Sequence, residues 1–222
     1  MQKRSHSTGS HSTGSHSTGS HSTGSHAAAS KDNKPSEGDS GGLMNRLLAS
    51  RTVVISGQVD SELAQKVMQQ LVLLDHDDSV ARITVLINSP GGEVFSGFAI
   101  YDTMRFLSAP LVTVVTGLAA SMGSIIALAP VKGLRYSLPN AKFLIHQPLM
   151  TGYQGRATDL EIQATEILKD RERIIQIYAE NTGKKAAEIA NDIDRDKWLT
   201  APEALEYGLI DHIIVKRSEL GR

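Results

Sequence analysis

Residues 111–129 read LVTVVTGLAASMGSIIALA, and the way this run is divided decides the fold. Its first half, dense in Val and Thr, reads as a buried strand, and its second half, SMGSIIALA, reads as the start of a buried helix. From Leu111 to Val131 no side chain is charged, a length that could also span a bilayer. Gly117, Gly123, Thr113, Thr116, Ser121, Ser124 and Pro130 interrupt it, however, and a strand-like half precedes a helix-like half. Two buried core elements explain that pattern better than one membrane span. Ser121 stands at the hand-over, flanked by Ala119, Ala120 and Gly123. A hydroxyl there can be a nucleophile, because a helix N-terminus offers unpaired N–H groups to a developing negative charge. It can equally be a small residue that lets two backbones pack closely.

Outward from this run the chain alternates. RTVVISG reads as a strand, after which Asp60 caps a helix with an apolar stripe at Leu63, Val67, Leu71 and Leu74. RITVLIN is the next strand, followed by SPGG and a helix through VFSGFAIYDTMRFL. Strands alternating with helices predict βαβ units and a mainly parallel sheet, an α/β domain that folds as one unit. Further on, Thr158 and Glu161 have the spacing of a capping box for a long helix ending near Gly183. Thr200 and Glu203 open a shorter helix that stops at Gly208, and LIDHIIVK reads as the final strand.

The first 42 residues are of another kind. Residues 5–26 repeat SHSTG with a period of five, and a polar stretch follows to Gly42. With almost no apolar side chains this tail can form no core and is expected to be disordered, leaving residues 43–222 as the folded domain. Its histidines, His6, His11, His16, His21 and His26, give no fixed metal geometry, and a tag or linker is the simplest reading. A net charge of −1 gives no electrostatic case for nucleic acid or an anionic membrane as partner. The chain has no cysteine, which excludes disulfides, thiolate nucleophiles and cysteine metal sites. A cysteine-free enzyme without a signal peptide is expected in the cytoplasm.

If Ser121 is a nucleophile it needs a base, an orienting acid and an oxyanion hole. Three histidines lie in the folded part. His76 sits in an acidic turn and His212 in the last strand, whereas His146 in FLIHQPL ends a short apolar strand that Pro148 stops. INSPGGEV, residues 87–94, supplies the hole's candidate, since Gly91 and Gly92 leave a strand with no side chain to block a substrate backbone. No lysine follows them as a Walker-type phosphate loop requires. Asp192, Asp194 and Asp196 compete for the role of the acid.

INSPGGEVFSGFAIYDTM, GLAASMGS, LPNAKFLIHQPL, GYQGRATDLEI and DIDRDKWLTAPEALEYGLID occur here in the order found in the proteolytic subunit of the Clp protease family, which the chain resembles over roughly residues 43–216. The resemblance implies an α/β fold of the Clp proteolytic subunit and crotonase type, with repeated βαβ turns and a protruding helical handle that starts at GYQGRATD. It implies a serine endopeptidase with Ser121 as nucleophile, His146 as general base and Asp196 as orienting acid. The oxyanion donors would be the backbone N–H groups of Gly92 and Met122, and Asp194 and Arg195 would make contacts between rings. It also implies stacked seven-membered rings of this chain, a tetradecamer fed with unfolded polypeptide by an ATP-driven (AAA+) unfoldase of the Clp type. The chain itself would need no cofactor and no metal.

Two departures accompany the resemblance. Low-complexity repeat stands where the family has an axial hairpin that meets the unfoldase, which bears on docking and not on the triad. HQPLMTGYQG carries one residue more than the common pattern before its glycine-rich turn. A different chemistry on the same fold, that of acyl-CoA hydratases and isomerases, works with acidic residues and needs no Ser–His–Asp set. A non-catalytic ring subunit would be expected to lack one of the three, and all three are present.

Overall fold

The computed structural model describes residues 37–149 and 154–220. In chain order the elements are α1 (Glu37–Ala49), β1 (Thr52–Ser56), α2 (Ser61–Asp77), β2 (Ile83–Ser89), α3 (Val94–Phe106), β3 (Leu111–Ala120) and α4 (Met122–Ala127). They continue with β4 (Arg135–Ser137), β5 (Lys142–Ile145), α5 (Ala157–Thr182), α6 (Ala186–Asp192), β6 (Lys197–Thr200), α7 (Ala201–Tyr207) and β7 (His212–Ile213). Helix α1 begins at Glu37, so regular structure starts ahead of Leu43. The SHSTG repeat with its histidines, and the extra residue of the HQPLMTGYQG segment at 150–153, lie outside the described residues.

The expected βαβ repeats form a parallel sheet in the order β1-β2-β3-β4-β7. In β1 and β2 burial alternates, with Val53, Ile55, Ile83, Val85 and Ile87 fully buried on one face and Val54 exposed on the other, whereas the first half of β3, Leu111–Val115, is buried on both faces. Asp60 caps α2 as expected, its carboxylate accepting the Leu63 N–H at 2.8 Å. The buried stripe of α2 is Ala64, Val67, Leu71 and Leu74, with Leu63 packed at its margin.

The feature that builds the site is a fork in β3. Its first half pairs with β4 (Thr113–Arg135, Val114–Tyr136, Val115–Ser137) and its second half with β5 (Leu118–Lys142, Ala119–Phe143, Ala120–Leu144). Between them lies a bulge against β2, where Ile87 pairs with Val115 but Ser89 with Ala119. The Asn88 side chain fills it, its Oδ1 accepting the Leu118 N–H at 3.1 Å. Gly117 makes room, because a Cβ there would lie 2.6 Å from that oxygen. Strand β6 then adds to β5 antiparallel, from Lys142–Thr200 to Ile145–Lys197.

The C-terminal helices agree with the sequence in position and differ in one cap. Thr200 and Glu203 form the expected capping box on α7, and Gly208 ends it at φ 90. Gly183 likewise ends α5 at φ 79, but α5 starts one residue before Thr158, after Arg156, with no side-chain cap. Thr158 and Glu161 therefore lie inside the first turns rather than around the cap. Residues 157–166 of α5 are exposed on every side, and burial begins only towards Ile174 and Ile175. That is the expected handle, a helix whose first half runs clear of its own core. The last strand is shorter than LIDHIIVK suggests, because only His212 and Ile213 pair with β4. Leu209 and Ile210 instead bury in the main core, and Asp211 turns back to the fully buried Arg135, which donates to it from Nε at 2.9 Å.

Candidate active site

Ser121 joins β3 to α4 with φ 52 and ψ −125, a backbone conformation that suits glycine and costs any other residue. Its N–H donates to the Leu144 carbonyl at 2.9 Å, the last bond between the forked half of β3 and β5. Beyond it α4 begins, and the first N–H groups of a helix have no partner within the helix. The Met122 N–H is the first of these.

SPGG closes over this turn. A Cβ on Gly91 (φ 88) would lie 2.6 Å from both Ser121 Cβ and the Ala120 carbonyl oxygen and 3.0 Å from the Met122 nitrogen, so only glycine fits there. Ser89, fully buried, shapes the loop by donating from Oγ to the Gly57 carbonyl at 2.6 Å and accepting the Gly91 N–H at 3.1 Å. Gly92 forms a parallel bridge to Val59: Val59 N–H bonds the Gly91 carbonyl at 2.8 Å, and Glu93 N–H bonds the Val59 carbonyl at 2.7 Å. In a parallel bridge the central residue's own N–H and C=O point away from its partner strand. The Gly92 N–H is thus turned away from Val59.

His146 and Asp196 meet through strand register. The β5–β6 ladder ends at Ile145–Lys197, and one step beyond it His146 faces Asp196. His146 Nδ1 lies 3.4 Å from Asp196 Oδ1, longer than an ordinary N–H···O bond. The imidazole is largely buried and the carboxylate largely exposed. Since Ala120 pairs with Leu144, Ser121 and His146 leave neighbouring parallel strands at the same end. No hydrogen bond links Ser121 Oγ to His146 among the described residues.

The three acids separate cleanly. Asp192 is engaged by Lys197 Nζ and by Tyr207 Oη, which donates at 2.6 Å. Burial raises the Asp192 pKa, but those two bonds and the charges of Lys197 and Lys184 outweigh it and hold the carboxyl below its ordinary range. Asp194 and Arg195 lie in the exposed turn before β6, Arg195 93% exposed. Only Asp196 stands beside the imidazole. The following residue, Gln147, is clamped: its N–H donates to the Ile193 carbonyl at 2.7 Å, its Nε2 to the Asp194 carbonyl at 3.0 Å, and Arg171 Nε to its Oε1 at 3.0 Å. Among the described residues no group of three or more His, Cys, Asp or Glu side chains could hold a metal ion.

The Clp protease family model matches residues 36–217. The chain belongs to the Clp protease family. A relative from Protochlamydia amoebophila (strain UWE25), the ATP-dependent Clp protease proteolytic subunit 1, is 49% identical over 175 residues, which cover 78% of this chain and 85% of that protein. As a Clp protease the chain is a peptidase of the serine class, and the hydratase-like alternative falls away. No helix among the described residues is long and apolar enough to cross a membrane, and the uncharged run at 111–131 is strand, turn and short helix. Ser89, Asn88 and the Gln147–Arg171 clamp were not legible as site residues. Each carries an ordinary polar side chain whose partner comes from a distant part of the chain.

Proposed function

We propose that this Clp protease cleaves peptide bonds with Ser121 as nucleophile, His146 as general base and acid, and Asp196 as the acid that orients it. The observation that carries this reading is the convergence at one end of the forked sheet: the strained Ser121 turn and the His146–Asp196 pair. Asp196 beside Nδ1 favours the tautomer with its proton on Nδ1, leaving Nε2 to take the Ser121 proton. Ser121 Oγ then attacks the scissile carbonyl, whose oxygen becomes negative between the N–H groups of Met122 and Gly92. His146 returns the proton to the leaving amine, and water repeats the sequence to release the acyl group. Catalytic hydrogen bonds are commonly long before substrate binds and tighten in the complex, which accommodates the 3.4 Å separation.

The substrates in this proposal are unfolded polypeptides threaded by an ATP-driven Clp-type unfoldase, so that ATP is consumed by the partner and not by this chain. The chain works in the cytoplasm as stacked seven-membered rings, with the exposed Asp194–Arg195 turn and the exposed half of α5 available for contacts between rings. The test is labelling of the assembled particle with a fluorophosphonate, followed by peptide mapping. Modification at Ser121 is expected, and Ser121→Ala should lower peptidase activity by a factor on the order of 10⁴ to 10⁶ with assembly intact. Labelling at another residue, or residual activity within tenfold of wild type, would sink the assignment.

A further inference from the structure

Behind the nucleophile turn lies a buried chain of hydroxyls that peptide hydrolysis as described does not use. The Ser121 carbonyl oxygen accepts two bonds from Ser124, from its N–H at 2.9 Å and from its Oγ at 2.6 Å. Ser124 Oγ in turn lies 2.7 Å from the Tyr178 hydroxyl of α5. A serine hydroxyl has one proton. Ser124 commits it to the Ser121 carbonyl, so Tyr178 is the donor and the direction runs from Tyr178 to Ser124 to Ser121. Ser124 and Tyr178 are each only 1% exposed, so water does not compete for these bonds. Burial pushes the Tyr178 hydroxyl well above its ordinary pKa and outweighs the opposing bond with Ser124, so it stays protonated and remains a donor.

The peptide bond makes this chain relevant to the reaction. The Ser121 carbonyl and the Met122 N–H belong to one planar unit, with oxygen and hydrogen on opposite sides. Whatever fixes the oxygen aims the hydrogen. Bonds accepted by that carbonyl also polarise the peptide and strengthen its N–H as a donor.

We propose that Ser124 and Tyr178 are positioning residues: acting through the Ser121 carbonyl, they aim and strengthen the Met122 N–H for the oxyanion that forms during peptide cleavage. The inference rests on the reading of Ser121 as the nucleophile. Both residues are buried behind the turn, and among the described residues neither is hydrogen-bonded to His146. Losing them weakens the transition state rather than the ground state, so kcat falls while KM and the pH profile hold.

The experiment compares Ser124→Ala, Tyr178→Phe and the double variant as assembled full-length particles. It measures kcat and KM on a fluorogenic peptide, the pH profile, the fluorophosphonate labelling rate at Ser121, and the thermal midpoint. Removing an oxyanion donor outright costs roughly 10²- to 10³-fold, so misaiming one should lower kcat about tenfold in Ser124→Ala and about threefold in Tyr178→Phe. Because the two act as one unit, the double variant should lose no more than Ser124→Ala. Stability should behave differently. Ser124→Ala strands the buried Tyr178 hydroxyl, whereas the double variant leaves none unpaired and should recover its thermal midpoint while kcat stays low. Labelling rates should follow kcat. A double variant with kcat within twofold of wild type, or activity that tracks the thermal midpoint across the three variants, overturns the proposal. A wild-type particle whose Ser121 takes no label overturns the nucleophile assignment itself and this inference with it.

Discussion

Replacing Ser121 by alanine and by glycine in parallel weighs the strain in the nucleophile turn. Both changes remove the hydroxyl and abolish activity, so they differ only in the Cβ. At φ 52 and ψ −125 a residue with a Cβ carries about 1–3 kcal/mol of backbone strain, which alanine keeps and glycine sheds. Glycine loses some of that gain, because its unfolded chain is freer by about 0.5–1 kcal/mol. The balance leaves the glycine variant ahead of the alanine variant by about 1 kcal/mol, within a span of roughly 0–2.5 kcal/mol. For a chain of this length that corresponds to a rise of a few degrees in the thermal midpoint, roughly 2–4 °C per kcal/mol. The measurement is denaturant unfolding at matched protein concentration, since assembly contributes to apparent stability. An alanine variant more stable than the glycine variant would refute the argument that the surrounding structure holds Ser121 against its own preference.

Other changes read other parts of the site. Gly91→Ala should lower peptidase activity by about 10²-fold or more, because its Cβ would drive into Ser121 Cβ and the Ala120 carbonyl. It should also lower the denaturation midpoint, and activity within threefold of wild type would contradict it. Asp196→Asn should cost roughly 10²-fold or more in kcat through loss of the histidine tautomer, with the midpoint nearly unchanged. Asp192→Asn should do the reverse, sparing kcat and lowering the midpoint, because it weakens the contacts with Lys197 and Tyr207. Burial raises the pKa of Asp211, but its bonds from Arg135 and the Gly133 N–H and the Arg135 charge prevail and hold it below its ordinary value. A carboxyl depressed on folding contributes stability that is complete above the unfolded value of about 4 and lost as pH falls through the folded one. Asp211→Asn should therefore flatten the loss of stability below about pH 4, as followed by acid titration of the unfolding midpoint.

Much of this was legible from the chain. Apolar runs alternating with helical stripes disclosed the parallel sheet, and the longest of them, in β3, belongs to a strand whose first half is buried on both faces. The hand-over at Ser121 was visible because a valine-rich run stops where small residues begin. Asp60 and the Thr200–Glu203 box announced their helices, since capping is a local hydrogen bond between near neighbours. Thr158–Glu161 has the same spacing and no such bond, because the backbone entering α5 at Arg156 is already committed to the helix one residue earlier. What stayed hidden was long-range pairing. Nothing near Asp192, Asp194 or Asp196 says which one faces His146; the β5–β6 register decides it. The role of Tyr178 was equally invisible, since a tyrosine on an apolar helix stripe reads as core until Ser124 is found beneath its hydroxyl.

The β5–β6 ladder also sets when in the life of a chain the site can exist. Asp196 lies fifty positions beyond His146, and the ladder that brings them together can close only after the intervening helices have formed and docked. The loop closed between Ile145 and Lys197 is longer than the one between Thr52 and Thr84, so this ladder is expected to form after β1 has paired with β2. A newly made or half-folded subunit would then hold its serine and histidine without the acid that completes them. It would be harmless until that ladder closes. The chain carries its own reporter, because its single tryptophan, Trp198, lies in β6. In refolding, Trp198 fluorescence and Ser121 labelling should rise together, after most helical circular dichroism has returned. Labelling that precedes the Trp198 signal would show a site assembled without the ladder.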